Sequence, residues 1–365
     1  MRLFFQFRSS RPIAALLCLL SAAVMAEGLP YIQAGGAEAR ITSGIVVTGI
    51  DRGDFDEADP LVRAVIDLRE KHHHALMALP DVVGTAVGLG DGETPAIVVF
   101  TRGTAQAGVI PDRIENTPVV ALVTGEILAM PSNAAVNPSG YFPRPVPIGV
   151  STGNIGQCLA GTISARVKDG AGSVYALSNN HVFALENLAP TGSLVVQPGV
   201  YDTGCKVNTG NAIGSLSAYV PIHFTPGTTN VVDCAIALSG TDRLGKGTPK
   251  GGYGMPASAV ASAKIGQAVQ KYGRTTSLTT GAIQAINATI NVSYSSGTAT
   301  FVNQIAVYSP KSFIKAGDSG SLLVTNNTAA NPVGLLFAGN RTGTYAFANP
   351  IGAVLSSFNV TVDGK

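Results

Sequence analysis

A regular series of short apolar segments constrains the fold of this 365-residue chain more than any other feature. From about residue 148 onward, stretches rich in Val, Ile, Ala and Thr alternate with turn signals made of Gly, Asn, Ser and Pro. The stretch KGTPKGGYGMP (246–256) divides them into two sets of about six strands. Evenly spaced short strands are typical of closed all-β folds. We therefore predict a mostly β structure with two β-barrels, at about 148–240 and 260–362.

The segment before these strands has a different pattern. In residues 59–80, Leu and Val recur at helical spacing. Asp59 suits the cap of such a helix, and Pro60 suits its first position because proline has no N–H to satisfy there. We expect one helix at this point of the chain.

Strand patterns follow the predicted helix. Residues 82–90 and 95–101 are apolar runs separated by a Gly-Asp-Gly turn, and 118–130 reads as a further strand pair. The Pro-rich stretch 131–147 then resembles a linker. Residues 27–142 are thus expected to form a small α+β module, which precedes a domain that occupies residues 143–365.

The first 26 residues resemble an export signal. Three arginines precede the apolar run IAALLCLLSAAVMA (13–26), and Val24 and Ala26 suit the recognition positions of a signal peptidase. The run is shorter than the roughly 20 apolar residues that span a bilayer. We expect residues 1–26 to be removed and the protein to be secreted or periplasmic, without stable membrane insertion. An uncleaved anchor is the alternative.

Charge and composition exclude several classes of partner. Loss of residues 1–26 removes three arginines and no acid, which changes the formal charge from +2 to −1. No basic stripe remains, so nucleic acid is not an expected partner. The sequence contains no CxxC or HExxH pattern, and KHHH (71–74) reads as a polar helix face. We therefore expect neither a metal nor a cofactor.

Three polar residues occupy positions that suit nucleophilic catalysis. His181 ends an apolar strand, Asp233 lies inside a buried-looking strand, and Ser319 stands between glycines in AGDSGSLL (316–323). Each feature alone has a structural explanation. Together they follow the order His, Asp, Ser, in which the His takes the Ser proton and the Asp orients the imidazole. The N–H groups of Gly317 and Ser319 are candidates for the oxyanion hole.

The segments SNNHV, VDCAIA and AGDSGSLLV resemble the three active-site segments of trypsin-like serine proteases, which have a double β-barrel fold. VQKYGRTTSLTTG (269–281) is similar to a stretch of the secreted streptogrisins. A weaker pattern, across roughly 80–365, resembles bacterial relatives of the plant narrow-leaf type of these proteases. The resemblance implies a serine endopeptidase that acts on proteins or peptides without a cofactor. In it, His181 would be the base, Asp233 the orienting residue and Ser319 the nucleophile.

The chain departs from this family pattern in three places. Asn180 replaces the usual small residue before the catalytic His, and no Cys follows His181. Of the three cysteines beyond the signal, Cys158 is expected to bond Cys205, which would leave Cys234 free. Phe337 stands where many relatives have a Ser beside the triad Asp, so the support of Asp233 is open.

Asp318 needs a partner that the sequence does not fix. In trypsins, the residue in its place pairs with a new N-terminus that begins Ile-Val-Gly-Gly, and no such stretch occurs here. In the streptogrisin-like pattern a basic side chain takes this role. We expect Lys271 to pair with Asp318, with Arg274 as the neighbouring candidate and a solvated Lys271 as the alternative.

The residues that would select the substrate side chain are indicated only by the resemblance. The resemblance implies that Phe313 floors the primary pocket and that Phe337, Ala338 and Gly339 line one wall. No acid stands at these positions, so a small or medium apolar residue is expected before the cleaved bond. Two rival functions stay open, a catalytically silent binding or scaffold protein and an esterase with the same triad. Residues 27–142 are either a removable pro-region or a permanent docking surface.

Overall fold

The computed structural model describes residues 55–91, 94–105, 108–129 and 140–365. The expected signal segment, 1–26, lies outside this range. The first element is helix α1 (Pro60–Met77). The Asp59 carboxylate accepts the main-chain N–H groups of Leu61 and Val62 at 2.7 and 3.2 Å, and so caps the helix as its sequence predicts.

Five strands follow the helix: β1 (Val82–Leu89), β2 (Pro95–Thr101), β3 (Arg113–Ile114), β4 (Thr117–Val123) and β5 (Ile127–Ala129). β1 and β2 form an antiparallel hairpin, and β4 then pairs with β2 in parallel. The expected strand pair at 118–130 is wrong, because β4 and β5 bond to different neighbours. The chain turns away after β4 at Gly125, whose φ of +76° lies in the left-handed region that favours glycine.

The first barrel is a ring of six strands. It contains the elements β6 (Ser151–Asn154), β7 (Gly161–Thr162), β8 (Ala165–Asp169), β9 (Val174–Ser178), α2 (Asn180–Phe183), β10 (Leu194–Val196), β11 (Ala212–Tyr219) and β13 (Ala235–Leu238). Between β11 and β13, the short strand β12 (Thr229–Asn230) pairs in parallel with residues 300 and 301 of the second barrel. Two short 3₁₀ helices, Val200–Thr203 and Thr209–Asn211, lie between β10 and β11. The sheet order is β8-β9-β13-β11-β10-β6-β7. Only two residues separate β7 from β8, so these two act as one bent strand and close the ring.

The second barrel also closes on itself. Its elements are β14 (Ala268–Gly273), β15 (Ser277–Tyr294), β16 (Gly297–Tyr308), β17 (Leu322–Thr325), β18 (Pro332–Asn340), β19 (Tyr345–Pro350) and helix α3 (Ile351–Phe358). The order β16-β19-β18-β17-β14-β15 is completed by pairing between β15 and β16. The last strand, β20 (Val360–Val362), returns to pair with β8 of the first barrel. The predicted mostly β fold with two barrels is confirmed.

The N-terminal strands extend the sheet of the second barrel. β1 pairs antiparallel with β15, so the sheet runs on through β1, β2, β4 and β3. A Cβ at Gly84 would come within 2.8 Å of the Thr289 carbonyl oxygen, so the close approach of these two strands requires glycine. Apolar residues of α1, β1 and β2 share one buried cluster with residues of β14, β16 and β17. The N-terminal segment and the second barrel therefore bury apolar surface against each other.

The expected disulfide and free cysteine are both present. Cys158 and Cys205 form a disulfide, and Cys234 is a free, buried thiol. Within the part of the chain that the structure describes, no helix has the length and apolar character needed to cross a membrane.

Candidate active site

His181 lies in α2, directly after β9 of the first barrel. Two asparagine amides fix this turn. Asn179 donates to the carbonyl oxygen of Asp233 at 2.8 Å, and Asn180 donates to that of Val220 at 2.7 Å. Both side chains are buried. The unusual asparagine at position 180 therefore ties the histidine turn to the neighbouring chain.

Asp233 lies just before β13 and is fully buried against His181. Its Oδ2 is 2.5 Å from Nδ1 of His181, and its Oδ1 accepts the main-chain N–H of the same histidine at 3.2 Å. The N–H of Asp233 donates to Oδ1 of Asn349, in β19 of the second barrel, at 3.0 Å. An ionised carboxylate in this position favours the proton on Nδ1, which leaves Nε2 as the basic nitrogen. Nε2 is buried and has no hydrogen-bond partner among the described residues.

A tyrosine that no motif marked adds a donor to the same carboxylate. Tyr294 is the last residue of β15, and its hydroxyl donates to Oδ2 of Asp233 at 2.9 Å. Burial raises the pKa of Tyr294 well above its ordinary value, and the charge of Asp233 raises it further. The phenol therefore keeps its proton and acts as a donor. A tyrosine at the end of an ordinary strand carries no sequence signal for this role.

Ser319 lies in the loop before β17 and faces the first barrel. The N–H of Thr162 donates to the Ser319 carbonyl oxygen at 2.8 Å. Gly320 has a φ of +93°, and a Cβ there would collide with the carbonyl of Thr162 and the hydroxyl of Ser178. Glycine thus lets the serine loop pack against β7 and the end of β9, the strand that leads to His181. The Ser319 hydroxyl donates to the carbonyl oxygen of Phe337 at 3.4 Å.

Asp318 is held by several donors at once. Its Oδ1 accepts the N–H groups of Thr275 and Thr276 at 2.8 and 3.1 Å. Its Oδ2 accepts the Thr276 hydroxyl at 2.6 Å and the Lys315 N–H at 2.9 Å, and lies 3.4 Å from Nζ of Lys271. Burial lowers the pKa of Lys271, while the charge of Asp318 opposes that shift. These contacts fix the peptide units that lead to Ser319.

Arg274, the other candidate for Asp318, has a different partner. Its guanidinium pairs with both carboxylate oxygens of Asp202, and the Nε–Oδ2 distance is 2.6 Å. Its main-chain N–H donates to the Thr162 hydroxyl at 3.1 Å, and that hydroxyl donates to the Gly317 carbonyl at 2.8 Å. Gly317 has a φ of +95°, and a Cβ there would collide with Arg274. Glycine is therefore required at this candidate oxyanion-hole position.

The predicted pocket residues belong to two different buried clusters. Phe313 is buried in the apolar cluster that includes residues of β14, β16 and β17. Phe337 and Ala338 belong to a separate cluster, in which the rings of Phe337 and Phe301 are 4.8 Å apart. Gly339 follows them in β18. Of the four predicted residues, Ala338 and Gly339 pair with β5, and Phe337 directly precedes them in β18.

Strand β5 lies on β18 beside these residues. Ile127, Leu128 and Ala129 pair antiparallel with positions 340, 339 and 338, and Leu128 also pairs in parallel with Ser293 of β15. Ser319 is 0% exposed and His181 is 3% exposed. Both candidate catalytic side chains are therefore buried in the full-length chain.

Comparison with known proteins gives one match in sequence and several in structure. The chain is 38% identical to streptogrisin-A of Streptomyces griseus over 104 residues, which are 28% of this chain and 32% of that protein. The match thus spans about a third of the length of that relative. No family model matches the chain.

Two of the solved structures found are Thermobifida fusca protease A and a Nocardiopsis protease. They have TM-scores of 0.42 and 0.43 and identities of 19% and 22%. Each alignment covers 60% of this chain, and 99% and 98% of the respective neighbour. The match to streptogrisin-A alone confirms the resemblance to this class of serine proteases that the sequence motifs indicated.

Proposed function

We propose that the chain is an exported serine endopeptidase that cleaves peptide bonds through Ser319, His181 and Asp233. One observation carries the proposal: the 2.5 Å contact between Nδ1 of His181 and the buried Asp233 carboxylate. His181 and Asp233 belong to the first barrel, and Ser319 belongs to the second. The Ser319 loop is bonded to the first barrel through the N–H of Thr162.

The chemistry that fits this site is acyl transfer in two steps. Ser319 Oγ attacks the substrate carbonyl carbon while Nε2 of His181 takes the hydroxyl proton. Asp233 stabilises the imidazolium that forms. The C–N bond of the substrate then breaks, and His181 passes the proton to the departing amine. Water attacks the acyl-enzyme by the same route and releases the carboxylic acid.

The negative oxygen of the tetrahedral intermediate needs preorganised donors. We assign this role to the N–H groups of Gly317 and Ser319. Asp318 would set their direction through its bonds to Thr275, Thr276 and Lys315. Lys271 would balance the Asp318 charge, so that the site is built without the insertion of a new N-terminus. Phe337, Ala338 and Gly339 would line the wall for an apolar residue before the cleaved bond.

The N-terminal segment would keep the enzyme inactive until it is removed. β5 pairs with the edge of β18 as an extended peptide would, and the side chains of Ser319 and His181 are buried. A removable pro-region accounts for both facts, whereas a permanent docking surface would leave the site closed. Removal outside the cell would release activity there.

Replacement of Ser319 by alanine tests the main proposal. With the processed wild type, we expect turnover of peptide and ester substrates, and in Ser319→Ala a loss of roughly 10⁴-fold or more, because the nucleophile is gone. The exposed Ser356→Ala is the matched control and should keep full activity. Ester turnover without peptide turnover would identify an esterase. No turnover of either substrate by the wild type would favour a scaffold protein.

Replacement of Lys271 by methionine tests the support of the oxyanion loop. Since Lys271 and Asp318 are both fully buried, the variant leaves a buried charge unpaired. We expect the free energy of unfolding to fall by about 3–5 kcal/mol and peptide turnover to be lost. Urea unfolding and a peptide assay measure these changes, with the exposed Lys311→Met as control. Unchanged stability and turnover would show that Asp318 does not depend on this lysine.

Displacement of β5 tests the pro-region proposal. Ile127 is 1% exposed, so Ile127→Asp puts an unpaired charge in an apolar cluster and should release the strand. We expect the full-length form to react with a fluorophosphonate probe at least about tenfold faster than wild type, which corresponds to about 1.4 kcal/mol of lost protection. The control is Val123→Asp, at a position 44% exposed in β4. Equal labelling rates in all three full-length proteins would contradict the proposal.

A further inference from the structure

The Asp233 carboxylate accepts a hydroxyl from outside the candidate triad, that of Tyr294 in the second barrel. We propose that Tyr294 is a positioning residue that holds Asp233, and through it His181, in the reactive geometry. This inference deepens the proposed function and rests on it. It assigns a role in catalysis to the tip of a hairpin that contains no member of the triad.

The contacts of Tyr294 fit this role. Its hydroxyl and Nδ1 of His181 share one acceptor, Oδ2 of Asp233, at 2.9 and 2.5 Å. Its ring meets the imidazole edge to face, with centroids 5.8 Å apart and an interplanar angle of 67°. The same side chain therefore limits the movement of both residues. Because a carboxylate accepts most strongly when it is buried, a second donor also spreads the charge that faces His181.

The tip of the β15–β16 hairpin is held in place from the first barrel. The Glu186 carboxylate, which lies just beyond α2, accepts the N–H groups of Ser295 and Ser296 at 3.2 and 2.7 Å. Leu185, Glu186 and Asn187 all have positive φ, at 54°, 58° and 76°. Three successive non-glycine residues in this region are costly, and such strain persists where the surrounding structure fixes it. The turn aims Glu186 at the hairpin.

Further contacts fix the ring of Tyr294 itself. It packs edge to face on Phe224, with centroids 5.7 Å apart, and lies 6.1 Å from the ring of Phe301. The backbone of Tyr294 pairs with Gly297 across the hairpin. Tyr294 is thus anchored by the first barrel through Glu186 and by the second through β16. It reaches Asp233 as a fixed donor rather than as a mobile side chain.

Removal of the hydroxyl should change the pH dependence of the reaction. The titratable groups around the pair are Asp233, Tyr294, Glu186 and Cys234, whose pKa is raised by burial. Without the tyrosine donor, the Asp233 charge is concentrated on the bond to His181. A protonated His181 is then bound more strongly by Asp233. The acid limb of kcat/KM should therefore move to higher pH.

The test is Tyr294→Phe, which keeps the ring contacts and removes one oxygen. In the processed protein, we expect kcat to fall roughly ten- to hundredfold with little change in KM, and the acid limb to move upward. In the full-length chain, the downfield proton signal of His181 Nδ1–H should shift. Tyr308→Phe is the matched control, because Tyr308 packs on Tyr345 and has no contact with Asp233. It should leave all three readouts unchanged.

A second variant tests whether the hairpin anchor acts through Tyr294. Glu186→Gln, which does not touch Asp233, should give a smaller fall in kcat in the same direction, and its effect should vanish in the Tyr294→Phe background. An active wild type with an unchanged pH profile in Tyr294→Phe would overturn this inference alone. A uniform loss at all pH values would reduce Tyr294 to a structural role and also overturn it. An inactive wild type would contradict the proposed function instead.

Discussion

The site depends on one buried carboxylate, that of Asp233. A charge in this position is costly unless donors surround it. The histidine ring, the histidine N–H and the Tyr294 hydroxyl supply those donors. Since Tyr294 belongs to the second barrel and His181 to the first, the carboxylate joins the barrels at the point where chemistry is proposed. The bond from the Asp233 N–H to Asn349 adds a second link between them.

The N-terminal segment packs on the same strand, β15, that supplies Tyr294 to Asp233. β15 serves the barrel with one part of its length and the β1 sheet with another, and it ends at Tyr294. β5 then lies between β15 and β18, with Ser293 and Gly339 on its two sides. The same hairpin therefore carries the N-terminal sheet, the covering strand and the donor to Asp233. In the proposed precursor, closure of the site would thus be linked to its assembly.

The sequence allowed the double barrel to be predicted, because turn signals and strand lengths are local properties. The order of His181, Asp233 and Ser319 was also accessible from motifs, whereas the Cys158–Cys205 bond was expected without one. Pairing between strands that lie far apart in the sequence was not accessible in this way. The β1–β15 pair joins residues about two hundred positions apart, and no local pattern of apolar residues distinguishes it from an independent hairpin. The same limit produced the wrong strand pair at 118–130.

In the site, too, local features could be predicted and distant contacts could not. The glycines around Ser319 indicated a tight loop, but Tyr294 lies 61 positions from Asp233 and has no motif. The expectation that Phe313 floors a pocket came from counting back from the nucleophile. In the structure, its side chain packs in a cluster apart from Phe337 and Ala338. Counting along the chain does not indicate which buried cluster a side chain of a loop joins.

The most direct test of the proposed mechanism is to identify the residue that a fluorophosphonate modifies and to measure the rate of that reaction. The protein, as an expressing host secretes it, is treated with a fluorophosphonate, and the modified peptide is identified by mass spectrometry. We predict one adduct, on Ser319, and a rate that falls by several orders of magnitude in His181→Ala, because the hydroxyl loses its base. An adduct on another residue, or an equal rate in His181→Ala, would contradict the claim that these side chains act together.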